Sequence, residues 1–333
     1  MSGTARYRLL LCGLGWLTVV LFLLSLGVGP AAIAFSDSVR ALFSDQSDAI
    51  ALIMKEVRLP RALLGLMIGA TLGLSGAALQ GYLRNPLAEP GLIGISAAAS
   101  LGAVLAIYSG LTAMFALALP LAALAAAVVA VIVVQALAGL HGGTLSIILA
   151  GVAVSSFAGA MTSLALNLSS NPFAAMEIMF WMLGSLADRS MLHVWLAGPF
   201  MIAGWAMLAL LGRSLDALTL GNDTAASMGV DLRRVQMLAV FGTAASVGAA
   251  TAVAGAIGFV GLVVPHVLRP LVGARPSRLL PASALGGACV VLAADIAVRI
   301  IAPERDVKLG VLTALVGAPF FLWLVYRTRR RLA

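Results

Sequence analysis

The chain has 333 residues, 62% of them hydrophobic and 10% charged, with a formal net charge of +8. Soluble domains carry roughly a quarter charged residues, so this composition excludes an ordinary soluble globule and defines an all-α integral membrane protein with little mass outside the bilayer. The positive charge does not point to nucleic acid, because aromatic–basic clusters are lacking and excess Lys/Arg in membrane proteins reports topology.

A span needs about 20 apolar residues, and on that ruler the chain predicts ten. The first is Leu9 to Val28, behind Arg6 and Arg8. Ala32-Ile33-Ala34 resembles a signal cleavage site, but the apolar core exceeds the roughly 7–15 residues of a signal peptide, so the helix is expected to be retained. A polar segment, Phe35 to Arg61, precedes span two, Ala62 to Leu83. The chain breaks at Arg84-Asn85-Pro86 and Glu89-Pro90-Gly91. Span three is then Leu92 to Ile107 and span four Met114 to Leu140. The turn His141-Gly142-Gly143-Thr144 leads into span five, Leu145 to Leu166. Asn171-Pro172 opens a run to Leu186 that is too short to cross, expected as a helix at the membrane surface. Span six is Leu192 to Leu211, span seven Val235 to Val253, span eight Phe259 to Val272, span nine Leu279 to Ile301 and span ten Leu309 to Tyr326. Gly255, Gly258 and Gly261 interrupt the chain between spans seven and eight.

Charge sets the orientation. With the N-terminus inside, thirteen of the 21 Lys+Arg fall on the inner side, against only four acids: Glu89, Asp216, Asp223 and Asp231. The positive-inside rule then places both termini in the cytoplasm, consistent with an even number of spans. The two cysteines, Cys12 and Cys289, lie within apolar runs and read as packing residues, and the three histidines have no metal-ligand spacing.

Gly65, Gly69, Gly73 and Gly76 form a double GxxxG ladder on span two, the pattern of a helix packed closely against a neighbour. In the interval Leu215 to Arg234, Asn222 or Asp223 is a candidate N-cap and Gly229 a candidate stop for a short cytoplasmic helix, Thr224 to Met228. Such a helix suits a groove on a soluble partner, or serves as a plain capped linker. Asp295 and Arg299 have the i,i+4 spacing of an ion pair near the outer end of span nine; Arg299 is expected to reach outward to water. Paired carboxylates, a phosphate-binding glycine loop and a nucleophile–base constellation are missing. Ser96 and His266 are candidates for an intramembrane enzyme by residue type alone. An ion-coupled carrier would keep ionisable groups mid-span, and these are scarce.

Several ordered blocks carry a resemblance: RLPRALLGLMIGATLGLSGAALQG, NPLAEPGLIGIS, ILAGVAVSS, AGAIGFVGLVVPHVLR, LLPASALGGACVVLAADI and LGVLTALVGAPFF. Together they resemble the FecCD-type permeases, the membrane subunits of ABC importers for iron–siderophore complexes, heme and cobalamin, over about Arg58 to Tyr326. The resemblance implies one permease domain over the whole chain, with residues 1–8 and 327–333 as cytoplasmic ends. It implies ten helices per subunit in the bacterial inner membrane, a periplasmic surface helix, and a homodimer or a pair with a close homologue. Partners implied are two cytoplasmic ABC ATPase subunits, which use ATP and Mg, a periplasmic binding protein, and membrane lipid. No cofactor or metal is implied on this subunit. The ATPase is expected to dock on residues 215–234, with Gly221, Asn222, Asp223, Thr224, Ala225, Ala226, Ser227, Met228 and Gly229 as the coupling element. Arg58, Arg61 and Arg299 match the arginines that meet binding-protein carboxylates. Asn85, Thr144 and Leu145 match the cytoplasmic gate of a pathway lined by span five, the surface helix and span ten. Two departures stand out: Asp306-Val307-Lys308-Leu309 has lysine where the family has proline, and Leu145 stands where a small polar residue can occur.

Overall fold

The computed structural model describes residues 3–29, 33–43, 48–115, 117–139, 143–301 and 307–332. His141, Gly142, Asp306 and Ala32 lie outside the described residues, as do the side chains of Arg327 to Arg331. The helices are α1 (Gly3–Gly27), α2 (Phe35–Phe43), α3 (Ala49–Leu52), α4 (Leu59–Tyr82), α5 (Ile95–Tyr108), α6 (Leu111–Met114), α7 (Ala118–Ala138), α8 (Thr144–Leu168) and α9 (Pro172–Met182). They continue with α10 (Met191–Ala209), α11 (Gly212–Leu218), α12 (Asn222–Ser227), α13 (Leu232–Ala254), α14 (Val260–Leu268), α15 (Pro276–Ile301) and α16 (Leu309–Leu332). No strand occurs among the described residues.

Among the described residues seven helical stretches are long and apolar enough to cross a membrane: α1, residues 49–82, α7, α8, α10, α13 and α15. Two of them form the centre, because 78% of the apolar window is buried in residues 49–82 and in α13, against 17–44% in the other five. Small residues explain this. A Cβ at Gly69 would lie 2.4 Å from the Gly287 carbonyl oxygen, and one at Gly73 would lie 1.9 Å from that of Ser283. The glycine ladder of α4 thus meets a matching Ser283/Gly287 pair on α15, and the two backbones touch. On another side of α4, Ser75 Oγ lies 3.3 Å from Ser246 Oγ of α13.

Pro60 sits inside the continuous helix 49–82, where its ring would clash with the Glu56 carbonyl of a regular turn. The residues just before it, Ile53–Arg58, form a wider π turn, which accommodates the proline without breaking the helix.

Two of the expected spans are too short for a hydrocarbon core of about 30 Å. α5 rises about 21 Å, and α14 with the following 3-10 turn Arg269–Val272 about the same. Each is preceded by chain that is not α-helical: residues 83–94, with a single 3-10 turn at Pro90–Ile93, and residues 255–259. Backbone of this kind survives at membrane depth only where protein covers it or it lines a cavity. The two segments meet: Pro90 Cδ would lie 2.7 Å from a Cβ on Gly261, and the Phe259 N–H faces the Glu89 carboxylate.

Candidate functional site

At the C-terminal end of α1 the carbonyls of residues 25–28 are the four that a helix leaves without intrahelical partners. Two arginines from distant helices supply the donors. Arg58 Nη1 donates to the oxygens of Leu26 and Gly27, both at 3.0 Å. Arg299 Nη1 donates to those of Ser25 at 2.9 Å and Val28 at 2.7 Å. Asp295 completes the cluster, 2.7 Å from Arg299 Nη2 and 2.9 Å from Arg61 Nη2. The expected Asp295–Arg299 pair is present, but Arg299 turns inward rather than toward water, because the α1 carbonyls and the carboxylate offer it better partners. None of the three predicted docking arginines stands free: Arg58 is 4% exposed, and the Arg61 and Arg299 side chains are 19% and 7% exposed.

α12 begins at Asn222, two residues before the Thr224 that the sequence suggests, with Gly221 at the N-cap (φ 105°) instead of Asn222 or Asp223. Its end has the two hydrogen bonds of a Schellman motif: Val230 N–H to the Ala225 oxygen at 3.0 Å and Gly229 N–H to that of Ala226 at 2.9 Å. Gly229, at φ 85°, supplies the left-handed residue the motif needs. Ala225 is fully buried, while Asn222, Asp223, Thr224, Ala226, Ser227, Met228 and Gly229 are exposed. The base is firm. Asp216 Oδ1 accepts from Ser277 N–H at 2.9 Å and Oδ2 from Ser277 Oγ–H at 2.6 Å, fixing α11 to the start of α15. The Asp231 side chain caps α13 at Arg234 N–H, 3.1 Å away.

Asn85 lies in the turn after α4, where its Oδ1 accepts from Leu87 N–H at 2.9 Å. Thr144 opens α8, and Leu145 beside it is 68% exposed. The segment leaving the Asn85 turn reaches α8 at Gly151, where a Cβ would lie 2.1 Å from the Leu92 oxygen.

Sequence reasoning missed Gln80. Its Nε2 donates to the Gly261 and Leu262 oxygens, and its Oε1 accepts from Arg269 Nη2 at 2.6 Å. It ties the lower end of α4 to α14, and the available signal was one amide in an otherwise apolar run. Ser96 falls in the first turn of α5, while His266 packs edge-on against Phe320, 6.0 Å between ring centroids.

Two cavities open beside α9 and α16. One of about 440 Å³ is lined by Glu177, Phe180, Trp181, Asp188, Arg189 and Lys308. Lys308 Nζ stands 5.6 Å from the Phe180 ring centroid, and burial lowers the pKa of the Arg189 guanidinium against the raising influence of Asp188. The other, about 640 Å³ and apolar, runs between residues 256–259 and α16, with Met182, Phe259, Leu315 and Pro319 in its wall.

These parts define a multi-pass membrane protein. Among the described residues no group of His, Cys, Asp or Glu could hold a metal ion. The chain belongs to the FecCD transport family, whose model matches residues 17–327. It is 35% identical to the hemin transport system permease protein HmuU of Yersinia pestis, covering 99% of each chain. It is 37% identical to the vitamin B12 import system permease protein BtuC of Salmonella typhi, covering 96% and 95%. The Fe(3+) dicitrate transport system permease protein FecD of Escherichia coli is 38% identical over 83% of this chain and 86% of its own. A solved structure described as an inward-facing metal-chelate type ABC transporter superposes with a TM-score of 0.84 at 32% identity, covering 95% of this chain and 98% of that one.

Proposed function

We propose that this protein is the membrane-spanning subunit of an ATP-driven ABC importer that carries a bulky metal chelate from periplasm to cytoplasm. The observation that carries this reading is the full-length similarity to permeases of hemin, vitamin B12 and ferric dicitrate systems. Ten spans follow when α5, α14 with its 3-10 turn, and α16 join the seven long ones, with both termini in the cytoplasm of a cell with an inner membrane. A second permease subunit completes the pathway, two ATPase subunits hydrolyse ATP with Mg, and a periplasmic protein delivers the chelate. Asn85, Thr144 and Leu145 form the cytoplasmic gate. Reconstitution in proteoliposomes with the partner ATPase and binding protein tests this. ATP-dependent uptake of hemin, cobalamin or ferric dicitrate is the expected result, and equal uptake without ATPase would instead favour an ion-coupled carrier.

α12 is the coupling element in this reading. Its exposed residues act on the partner while Ala225 and Val230 seat it on the core. Met228, 62% exposed, is the natural anchor for an apolar groove. Met228→Glu should leave the permease folded and lower co-purification of the ATPase about ten-fold or more. Unchanged co-purification with a normal elution profile would remove α12 from the interface.

Arg61, with Arg58 and Arg299 behind it, is the docking site for binding-protein carboxylates. The three arginines and Asp295 sum to a formal +2, which attracts an acidic surface. Arg61→Gln, read beside its melting temperature, is the cleanest test, since Arg61 does not hold α1 and Asp295 keeps its pair with Arg299. Association should weaken, more at low salt than at high. A salt-independent affinity equal to the wild type would refute this docking role.

A further inference from the structure

Phe259 has φ +68°, a left-handed conformation that is an outlier for a bulky residue. The other non-glycine residues with positive φ among those described, Arg84, Asp188 and Ala274, sit in turns. Phe259 instead heads α14 at the point where the interrupted chain becomes helical again, and its carbonyl accepts from Leu262 and Val263 N–H.

Two neighbours hold it there. The Glu89 carboxylate, from the other interrupted segment, faces its N–H. On the other side its side chain rests on Gly317 of α16: a Cβ at Gly317 would lie 2.3 Å from Phe259 Cβ and 2.4 Å from Cγ. The absence of a side chain at 317 is therefore the seat for the aromatic one at 259.

Two residues beyond that seat α16 contains Pro319, which removes the hydrogen bond to the Leu315 carbonyl and creates a natural bending point. The upper end of α16 is pinned, since Gly310 N–H donates to the Gly184 oxygen at 3.2 Å. Below the proline, Phe320 makes its ring contact with His266 of α14. The contacts of α16 with α14 thus straddle a hinge, with Phe259 immediately above it and bordering the 640 Å³ groove.

We propose that Phe259 is the fulcrum on which the lower half of α16 turns when the pathway changes its side of access. It is a positioning residue and needs no contact with the transported chelate. The inference rests on the importer reading above. The strained backbone of Phe259, fixed from Glu89, keeps the ring in the Gly317 seat, so motion is confined to the segment after Pro319.

The test uses the full permease with its ATPase and binding protein, in a Cys12→Ser/Cys289→Ala background, with spin labels on Val267→Cys of α14 and Leu322→Cys of α16. Wild-type sequence at 259 and 317 should show an ATP-dependent change in the label distance and ATP-driven uptake. If it shows no ATP-driven uptake, the importer reading itself fails. Phe259→Asn keeps the left-handed backbone and removes the ring; Gly317→Ala blocks the seat from the other helix. Each variant should elute as folded permease, still bind the ATPase and still hydrolyse ATP, yet lose the distance change and lower uptake about ten-fold, which is about 1.4 kcal/mol. If one variant does not fold, the other decides. A folded variant that keeps the distance change and uptake within two-fold of wild type overturns the fulcrum.

Discussion

Replacing Gly73 with valine is expected to abolish recovery of folded protein. A Cβ at this position would lie 1.9 Å from the Ser283 carbonyl oxygen and 2.8 Å from its carbon. These are backbone atoms of α15, so no rotamer change relieves the overlap and the helices must separate. The penalty spreads along the contact, because Gly69 and Gly287 depend on the same close approach. In lipid, packing and interhelical hydrogen bonds replace the hydrophobic drive, so separating the central pair removes what holds the body together. Overpacking ordinarily costs about 1–3 kcal/mol and occasionally more; backbone overlap at the centre puts Gly73→Val at or above the top of that range. Gly73→Ala should be milder but still lower the melting temperature. Gly13→Ala and Gly15→Ala are the controls, since nothing lies within 4 Å of a Cβ at either; each should be neutral or stabilising by up to ~1 kcal/mol through helix propensity. Detergent size-exclusion profiles along a thermal ramp read all four. A monodisperse Gly73→Val protein with wild-type melting would show that α4 and α15 do not pack this way.

Asp295→Ala is expected to have the second-largest effect, about 3–5 kcal/mol, the usual result of removing one partner from a buried ion cluster. Arg61 and Arg299 would keep their charges without the carboxylate between them. Arg299 would then be free to move off the α1 carbonyls toward water. A local reporter exists. Cys289 is buried under α1, its sulfur 3.2 Å from Thr18 Oγ1 and 3.6 Å from the Leu14 oxygen, whereas Cys12 is exposed. In detergent the wild type should take up one equivalent of maleimide quickly, at Cys12, and Asp295→Ala should take up two. A single fast equivalent at unchanged melting temperature would mean that the carboxylate does not hold this corner.

Much of the architecture was legible in the sequence, because bilayer crossing is a matter of length and apolarity. The expected span centres all fall within observed helices, the glycine ladder marked a close helix contact, and Gly255, Gly258 and Gly261 marked the interruption before α14. What stayed hidden depends on residues far apart in the chain. The i,i+4 spacing disclosed Asp295 and Arg299, but Arg61 is 234 positions away. Distance along the chain likewise concealed the encounter of Glu89 with Phe259, and of Gln80 with Arg269, 189 positions apart. The N-cap of α12 lies at Gly221 rather than at Asn222 or Asp223, because glycine alone takes φ 105° easily. Arg58 and Arg299 looked like surface charges because their real partners are backbone oxygens, which no side-chain pattern records.

That last pairing bears on how the protein is made. α1 leaves the ribosome well before α15, yet the arginine that closes its last carbonyls, Arg299, lies 274 positions after Ser25. Arg58 arrives early and can cover Leu26 and Gly27; Ser25 and Val28 lack their arginine donor until α15 has been made. Closing this corner therefore waits for α15, and nascent chains arrested before it should expose Thr18, Ser25 and the rest of the α1 face that α15 covers to lipid or to an insertion chaperone.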